Sequence, residues 1–197
     1  MKDPLEELTD LCKQINDNYH NNECREGWRN LRLVPEAANK LQAMPLEGET
    51  SAANQIEVLD LMLDCLDELS IPRQTLGIRK YQLSLFDQLG PEEKVEVKRE
   101  DVENEIKRLE DYLNLDIPME EWCKKYHKHL LFDPIERTLE WEVNIYDAEE
   151  ETYKRLGDTP RCMGFCFEYW ANLRDVMAEK GIEWKSPHIM NPRVMFD

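Results

Sequence analysis

Cys123 and His127 stand four residues apart in a segment of helical character, and Cys162 and Cys166 repeat that spacing near the C-terminus. Positions i and i+4 share one helix face, so each pair can point two ligands in one direction. Two such helices side by side would present the Cys₃His set that zinc takes in closed, structural sites. The spacing equally suits small thiols packed in a core beside Trp122 and Trp170. His129 is a spare imidazole, but two residues from His127 it faces elsewhere on a helix.

Cys162 carries a second chemistry. In D-T-P-R-C-M-G-F-C, Thr159 is placed to cap a helix and Pro160 to occupy its first position. Cys162 would then sit in the first turn beside Arg161, where the helix dipole favours a thiolate, with Cys166 as resolving thiol. A nucleophile also needs an oriented base, and no spacing selects one among His20, His127, His129 and His188. Di-metal carboxylate chemistry wants repeated Glu-x-x-His motifs. Only Asp17 to His20 has comparable spacing, and it occurs once. The chain contains no P-loop, dinucleotide fingerprint, G-x-S-x-G elbow or H-E-x-x-H motif.

Charge points another way. The chain has 25 Lys+Arg against 42 Asp+Glu, a net charge of −17, which disfavours direct contact with nucleic acid or anionic membranes. Glu140, Glu142, Asp147, Glu149, Glu150 and Glu151 crowd one segment. A second acidic stripe runs through Glu57, Asp60, Asp64, Asp67 and Glu68. Rows of carboxylates on rigid helices can engage a basic protein surface, including one that otherwise binds nucleic acid. A solvated acidic face has the same pattern. The one basic cluster is K-K-Y-H-K-H at 124–129, which also reads as a solvated helix face balancing nearby carboxylates.

The elements that must hold these residues are helical. With 197 residues, 41% hydrophobic content and five Trp, the chain can bury roughly 70% of its unfolded surface without staples. Seven Gly and 34% charged residues favour helices over sheet. Apolar residues recur at helical spacing from Asp3-Pro4 to Tyr19, and a short helix is expected from Pro35 until before Pro45. The strongest helix covers 51–70, with Ile56, Leu59, Met62, Leu63, Leu66 and Leu69 as its core face. Another runs from Pro72 towards Gly90-Pro91, forming an antiparallel hairpin with it. K-V-E-V-K at 94–98 alternates like a strand but is too short to make a sheet alone.

Val102, Ile106, Leu109 and Leu113 mark the following helix. A helix from Asp116-Ile117-Pro118 to Leu131 would turn Met119, Trp122, Cys123, Tyr126 and Leu130 inward. The next, from Asp133-Pro134 to Gly157, would bury Ile135, Leu139, Val143, Tyr146 and Tyr153. The last runs from Pro160 to Gly181, whose role is a left-handed C-cap. Beyond it, Trp184, Ile189, Met190, Val194, Met195 and Phe196 form an apolar tail interrupted by Pro187 and Pro192, expected to lie extended across the helices.

Fold class is therefore all-α: a compact bundle of about seven or eight helices with a packed C-terminal tail. A single domain over 1–197 is expected, with 91–101 as the one plausible subdivision. Cys12 and Cys65 read as core thiols, and the six cysteines read as free thiols of a reducing cytoplasm. M-K-D-P-L-E-E lacks the apolar stretch of a secretory leader, and no apolar run approaches the ~20 residues of a membrane helix. The leading functional expectation is an acidic, cytoplasmic binding or regulatory module, not an enzyme, with a basic protein partner. A zinc-stabilised protein using Cys123, His127, Cys162 and Cys166 is the alternative, and a thiol-dependent enzyme at Cys162 the third.

Overall fold

The computed structural model describes residues 3–20 and 26–196, and these are all-helical, with no strand among them. The chain forms two compact units, Met1–Glu110 and Asp111–Asp197. Cys24 lies outside the described residues, as do Asn21 and Asn22 of the polar stop after the first helix.

The first unit contains α1 (Pro4–His20), α2 (Asn30–Gln42), α3 (Ala52–Asp64), α4 (Pro72–Leu85) and most of α5 (Arg99–Leu113). Leu8, Leu11 and Ile15 of α1 meet a core built from Val34, Ala37, Leu41, Ile56, Leu59 and Leu63. Each large aliphatic side chain buried there contributes about 1.5–3 kcal/mol. Ser51 caps α3 by accepting the Asn54 N–H. α3 and α4 do form an antiparallel hairpin. Gln82 donates to the Ile56 carbonyl at 3.0 Å and Arg79 reaches Asp60 at 2.6 Å, so late residues of one helix meet early residues of the other.

One expectation fails in this unit for an identifiable reason. Pro35 does not start a helix; it lies inside α2, which begins at Asn30 after a 3₁₀ turn at Gly27–Arg29. The ring costs α2 one backbone bond, offset by the buried stripe Leu31, Val34, Ala37, Ala38 and Leu41 and by Asn30 itself. Asn30 is fully buried and donates to Ile15 O at 3.0 Å and Cys65 O at 2.9 Å, which ties α1 to the end of α3. The K-V-E-V-K segment is irregular, and the Glu57 carboxylate accepts the N–H groups of Glu96 and Val97.

The second unit contains α6 (Met119–Lys125), α7 (Leu139–Leu156), α8 (Phe165–Glu179) and the one-turn α9 (Pro187–Met190). α7 and α8 pack against each other. α6 is shorter than the sequence suggests. His127 takes a left-handed φ of 51° and the Lys128 N–H turns back to Cys123 O at 2.8 Å, a Schellman stop.

α7 is rotated from the expected face. Trp141, Ile145, Ala148, Thr152 and Leu156 are buried, whereas Leu139 and Val143 are 59% and 63% exposed. Apolar residues occur on both sides of this helix, and the side with Trp141 is covered in part by Trp184 of the tail, ring centroids 5.5 Å apart. The α8 start is also displaced. Thr159 turns its hydroxyl back to Leu156 O at 2.6 Å, capping the end of α7, and α8 begins only after Gly164.

Gly181, at φ 83°, closes α8 as expected: Gly181 N–H reaches Ala178 O and Ile182 N–H reaches Met177 O, both at 2.9 Å. The tail then packs within this unit. Ile182 and Trp184 are buried, Trp184 Nε1 donates to Glu136 at 2.7 Å, and Lys185 N–H donates to Asp133 at 2.7 Å. It is not extended throughout, because Pro187 starts the single turn of α9.

Arg137 holds the other end of the unit together. It is 2% exposed and donates to the carbonyls of Asp111, Tyr112, Asn114 and Ile117. These are the carbonyls that the end of α5 and the turn after it leave open.

Candidate binding groove

The first unit holds a cavity of about 570 Å³ between α1 and α3. Cys12, Ile15, Asn16, Tyr19 and His20 line it from α1. Val58, Leu61, Met62 and Asp64 line it from α3, and Cys65, the α3 C-cap, completes the wall. Leu61 and Tyr19 stand on its rim at 66% and 53% exposure. The volume falls in the usual range for ligand sites, as does a mostly apolar lining with a few polar groups.

The two helices that flank the cavity are acidic, and Asp64 is the carboxylate in its lining. α1 and α3 together carry seven carboxylates, Glu6, Glu7, Asp10, Asp17, Glu57, Asp60 and Asp64, against one lysine, Lys13. Some are engaged: Glu7 pairs with Lys40 at 2.9 Å and Asp60 with Arg79 at 2.6 Å. Asp64 is exposed in the lining, and Asp17 follows the lining residue Asn16 and is exposed.

Burial pushes the Cys12 thiol up, and burial together with the Asp64 charge does the same to Cys65. Both thiols are half-buried and free, so neither is the sealed core residue that its apolar helix suggests. A signal existed in the sequence: Val58, Leu61 and Cys65 form a second apolar line on the side of α3 that also holds the acidic stripe.

The zinc expectation meets a different geometry. Cys123 is buried in α6 and its thiol donates to Leu130 O at 3.4 Å, while His127 lies beyond the helix end in its left-handed turn. The two therefore do not project from one helix face. Cys162 is exposed in the turn before α8, and Cys166 is half-buried in its first turn. Among the described residues no group of three or more His, Cys, Asp or Glu is gathered to hold a metal ion. Burial, with Glu120 adding to it, raises the Cys123 thiol.

The acidic residues of α7 have mixed surroundings. Glu142 is buried at 5% exposure, and Glu149 accepts from the Tyr169 hydroxyl. Glu150 and Glu151 pair with Lys154 and Arg155 at 3.4 and 3.1 Å, and Glu140 and Asp147 face outward. In the basic cluster, Lys125 and the Tyr126 hydroxyl both bond Asp111 at 2.5 Å. Lys124 and Lys128 of the same segment are exposed.

The fold and this cavity define an all-α protein with an apolar groove set between two acidic helices. Comparison with family models, curated proteins and solved structures finds no match. No helix among the described residues is long and apolar enough to cross a membrane.

Proposed function

We propose that this protein is a binding module whose first unit takes a basic, amphipathic helical segment of another protein into the groove between α1 and α3. The observation that carries this reading is charge complementarity around an apolar slot. A helix laid in a groove anchors through apolar residues at i, i+3, i+4 and i+7. Leu61, Val58, Met62, Ile15 and Tyr19 supply the apolar contacts for such anchors, and methionine adapts to different shapes. Asp64 in the lining and the acidic character of α1 and α3 favour Lys and Arg flanking the anchors and oppose an acidic partner. On this reading the acidic residues of α7 lie outside the site, and several of them serve the second unit's own contacts.

The test is fluorescence anisotropy of the full chain with a dye-labelled amphipathic Leu/Lys peptide. Binding should weaken at least about tenfold between low and high salt, since rim charges are screened beyond roughly 10 Å at 0.1 M. Leu61→Ser should weaken it about tenfold, the order of 1–2 kcal/mol expected for an apolar anchor. Leu139→Ser, an exposed position of the second unit, should leave it unchanged. A Ser/Lys peptide of equal charge should bind far more weakly. Equal binding of the Ser/Lys peptide, or indifference to both salt and Leu61→Ser, would dispose of the proposal.

A further inference from the structure

Three sulfur-bearing side chains line the α1/α3 groove, and two of them, Cys12 and Met62, are in contact. Cys12 comes from α1, Met62 from α3 and Cys65 from the α3 C-cap, and all three line the same cavity. The Cys12 thiol donates to Met62 Sδ at 3.9 Å across the interface between the helices. Met62 and Cys65 are three residues apart, the spacing that places side chains on one helix face.

We infer that Cys12, Met62 and Cys65 form a three-sulfur site for a soft monovalent cation, copper(I). Metal–thiolate bonds of about 2.3 Å arranged in a trigonal plane put the sulfurs about 4 Å apart. The Cys12–Met62 separation already has that value. The donor set selects the ion class. Thiolate with thioether is a soft set suited to copper(I), whereas magnesium, calcium and manganese want carboxylates and carbonyls. Zinc wants four ligands, usually Cys, His or carboxylate, and no group of three or more such residues is gathered among the described residues.

The supporting structure is already in place. Fully buried Asn30 donates to Ile15 O on α1 and to Cys65 O at the end of α3, and accepts from Asn18 Nδ2 at 3.0 Å. One side chain thus fixes the backbone beside two of the three ligands, the kind of outer-shell restraint on which metal sites depend. On loading, both thiols release their protons to solvent and each sulfur donates a lone pair. The product is copper(I) bound by two thiolates and one neutral thioether, with a net charge of −1. No electron is transferred.

The assignment stands on the sulfurs and does not depend on what the groove binds. It is tested by anaerobic titration of the full chain with copper(I) against a chromophoric copper(I) chelator, with X-ray absorption on the loaded protein. One copper(I) per chain is expected, in an all-sulfur, three-coordinate shell. Cys12→Ser and Cys65→Ser should each lower affinity at least about 100-fold, the upper end of what a lost outer-shell partner costs. Met62→Leu, close in shape, should lower it about tenfold at the lower end of that range. Cys162→Ser should match the parent.

A nitrogen or oxygen shell in the wild-type spectrum overturns the site without recourse to any variant. Full affinity in Cys12→Ser, loss in Cys162→Ser, or tighter binding of zinc does the same. Failure of the peptide experiment leaves this site standing, and a protein that binds peptide but not copper(I) overturns only the metal site.

Discussion

The side-chain amide of Asn191 pairs with both backbone groups of Leu131, accepting its N–H at 2.8 Å and donating to its carbonyl at 2.9 Å. Asn191 is 7% exposed and also donates to Pro187 O at 2.8 Å, so one amide stands in for a strand neighbour and closes the tail onto the loop before α7. Asn191→Ala should cost about 1–3 kcal/mol, because the partners lose their bonds away from water. Asn191→Asp keeps the acceptor, loses both donations and should fare no better. Urea denaturation followed by Trp fluorescence measures this, and a midpoint equal to the parent's would contradict the role assigned to Asn191.

His127 occupies a left-handed conformation that most side chains resist. His127→Gly should stabilise the protein by about 1 kcal/mol, the approximate cost of placing an L-residue there, reduced by the greater freedom of glycine when unfolded. Thermal melting reads the change. A lower Tm, together with loss of bound zinc from the parent, would restore His127 as a ligand.

Arg79 is buried with its guanidinium between Asp60 at 2.6 Å and Glu68 at 2.8 Å, and Arg108 also reaches Glu68. Burial alone would pull Arg79 down, but Glu68 and Asp60 together hold it above its usual value. Arg79→Met should cost about 3 kcal/mol because it leaves Glu68 and Asp60 without their cation. Adding Glu68→Leu should recover part of the loss, and a double-mutant cycle by chemical denaturation tests that coupling. Strict additivity would argue against the network.

Thiol reactivity should sort by environment. Cys162 is exposed, whereas burial raises Cys12, Cys65 and Cys123. Alkylation at neutral pH, mapped by peptide mass spectrometry, should modify Cys162 ahead of those three, and their rates should climb as pH rises towards their higher values. Cys123 labelled as quickly as Cys162 would show that α6 does not pack as described.

Arg155 holds Glu179 bidentately at 3.1 and 2.7 Å and keeps its carboxyl below the ordinary value of 4.5. A depressed folded-state pKa adds stability that is fully present above the unfolded value and is lost as pH falls through the folded one. Glu179→Gln should therefore lower Tm slightly at neutral pH, with the difference from wild type closing in acid. Both groups face water, so added salt should shrink the effect. A Tm difference that persists unchanged into acid would assign the effect to something other than the charge.

The sequence alone determined the helical class and several element boundaries. Ser51, Gly157 and Gly181 act within one turn of their own positions, so their neighbours suffice to read them. The period of Val102, Ile106 and Leu109 likewise marks α5 without reference to any partner. Tertiary structure decided which of two apolar faces is covered. α7 buries Trp141, whose ring meets Trp184 of the tail at 5.5 Å between centroids, and Ile145, and exposes Leu139 and Val143. The same limit hid the groove. Val58, Leu61 and Cys65 read as one more apolar line on a strongly apolar helix, and only the place where α1 crosses α3 leaves them uncovered beside Cys12 and Tyr19. Hydrophobic burial has no direction of its own; the facing surface supplies it, from residues distant in the chain.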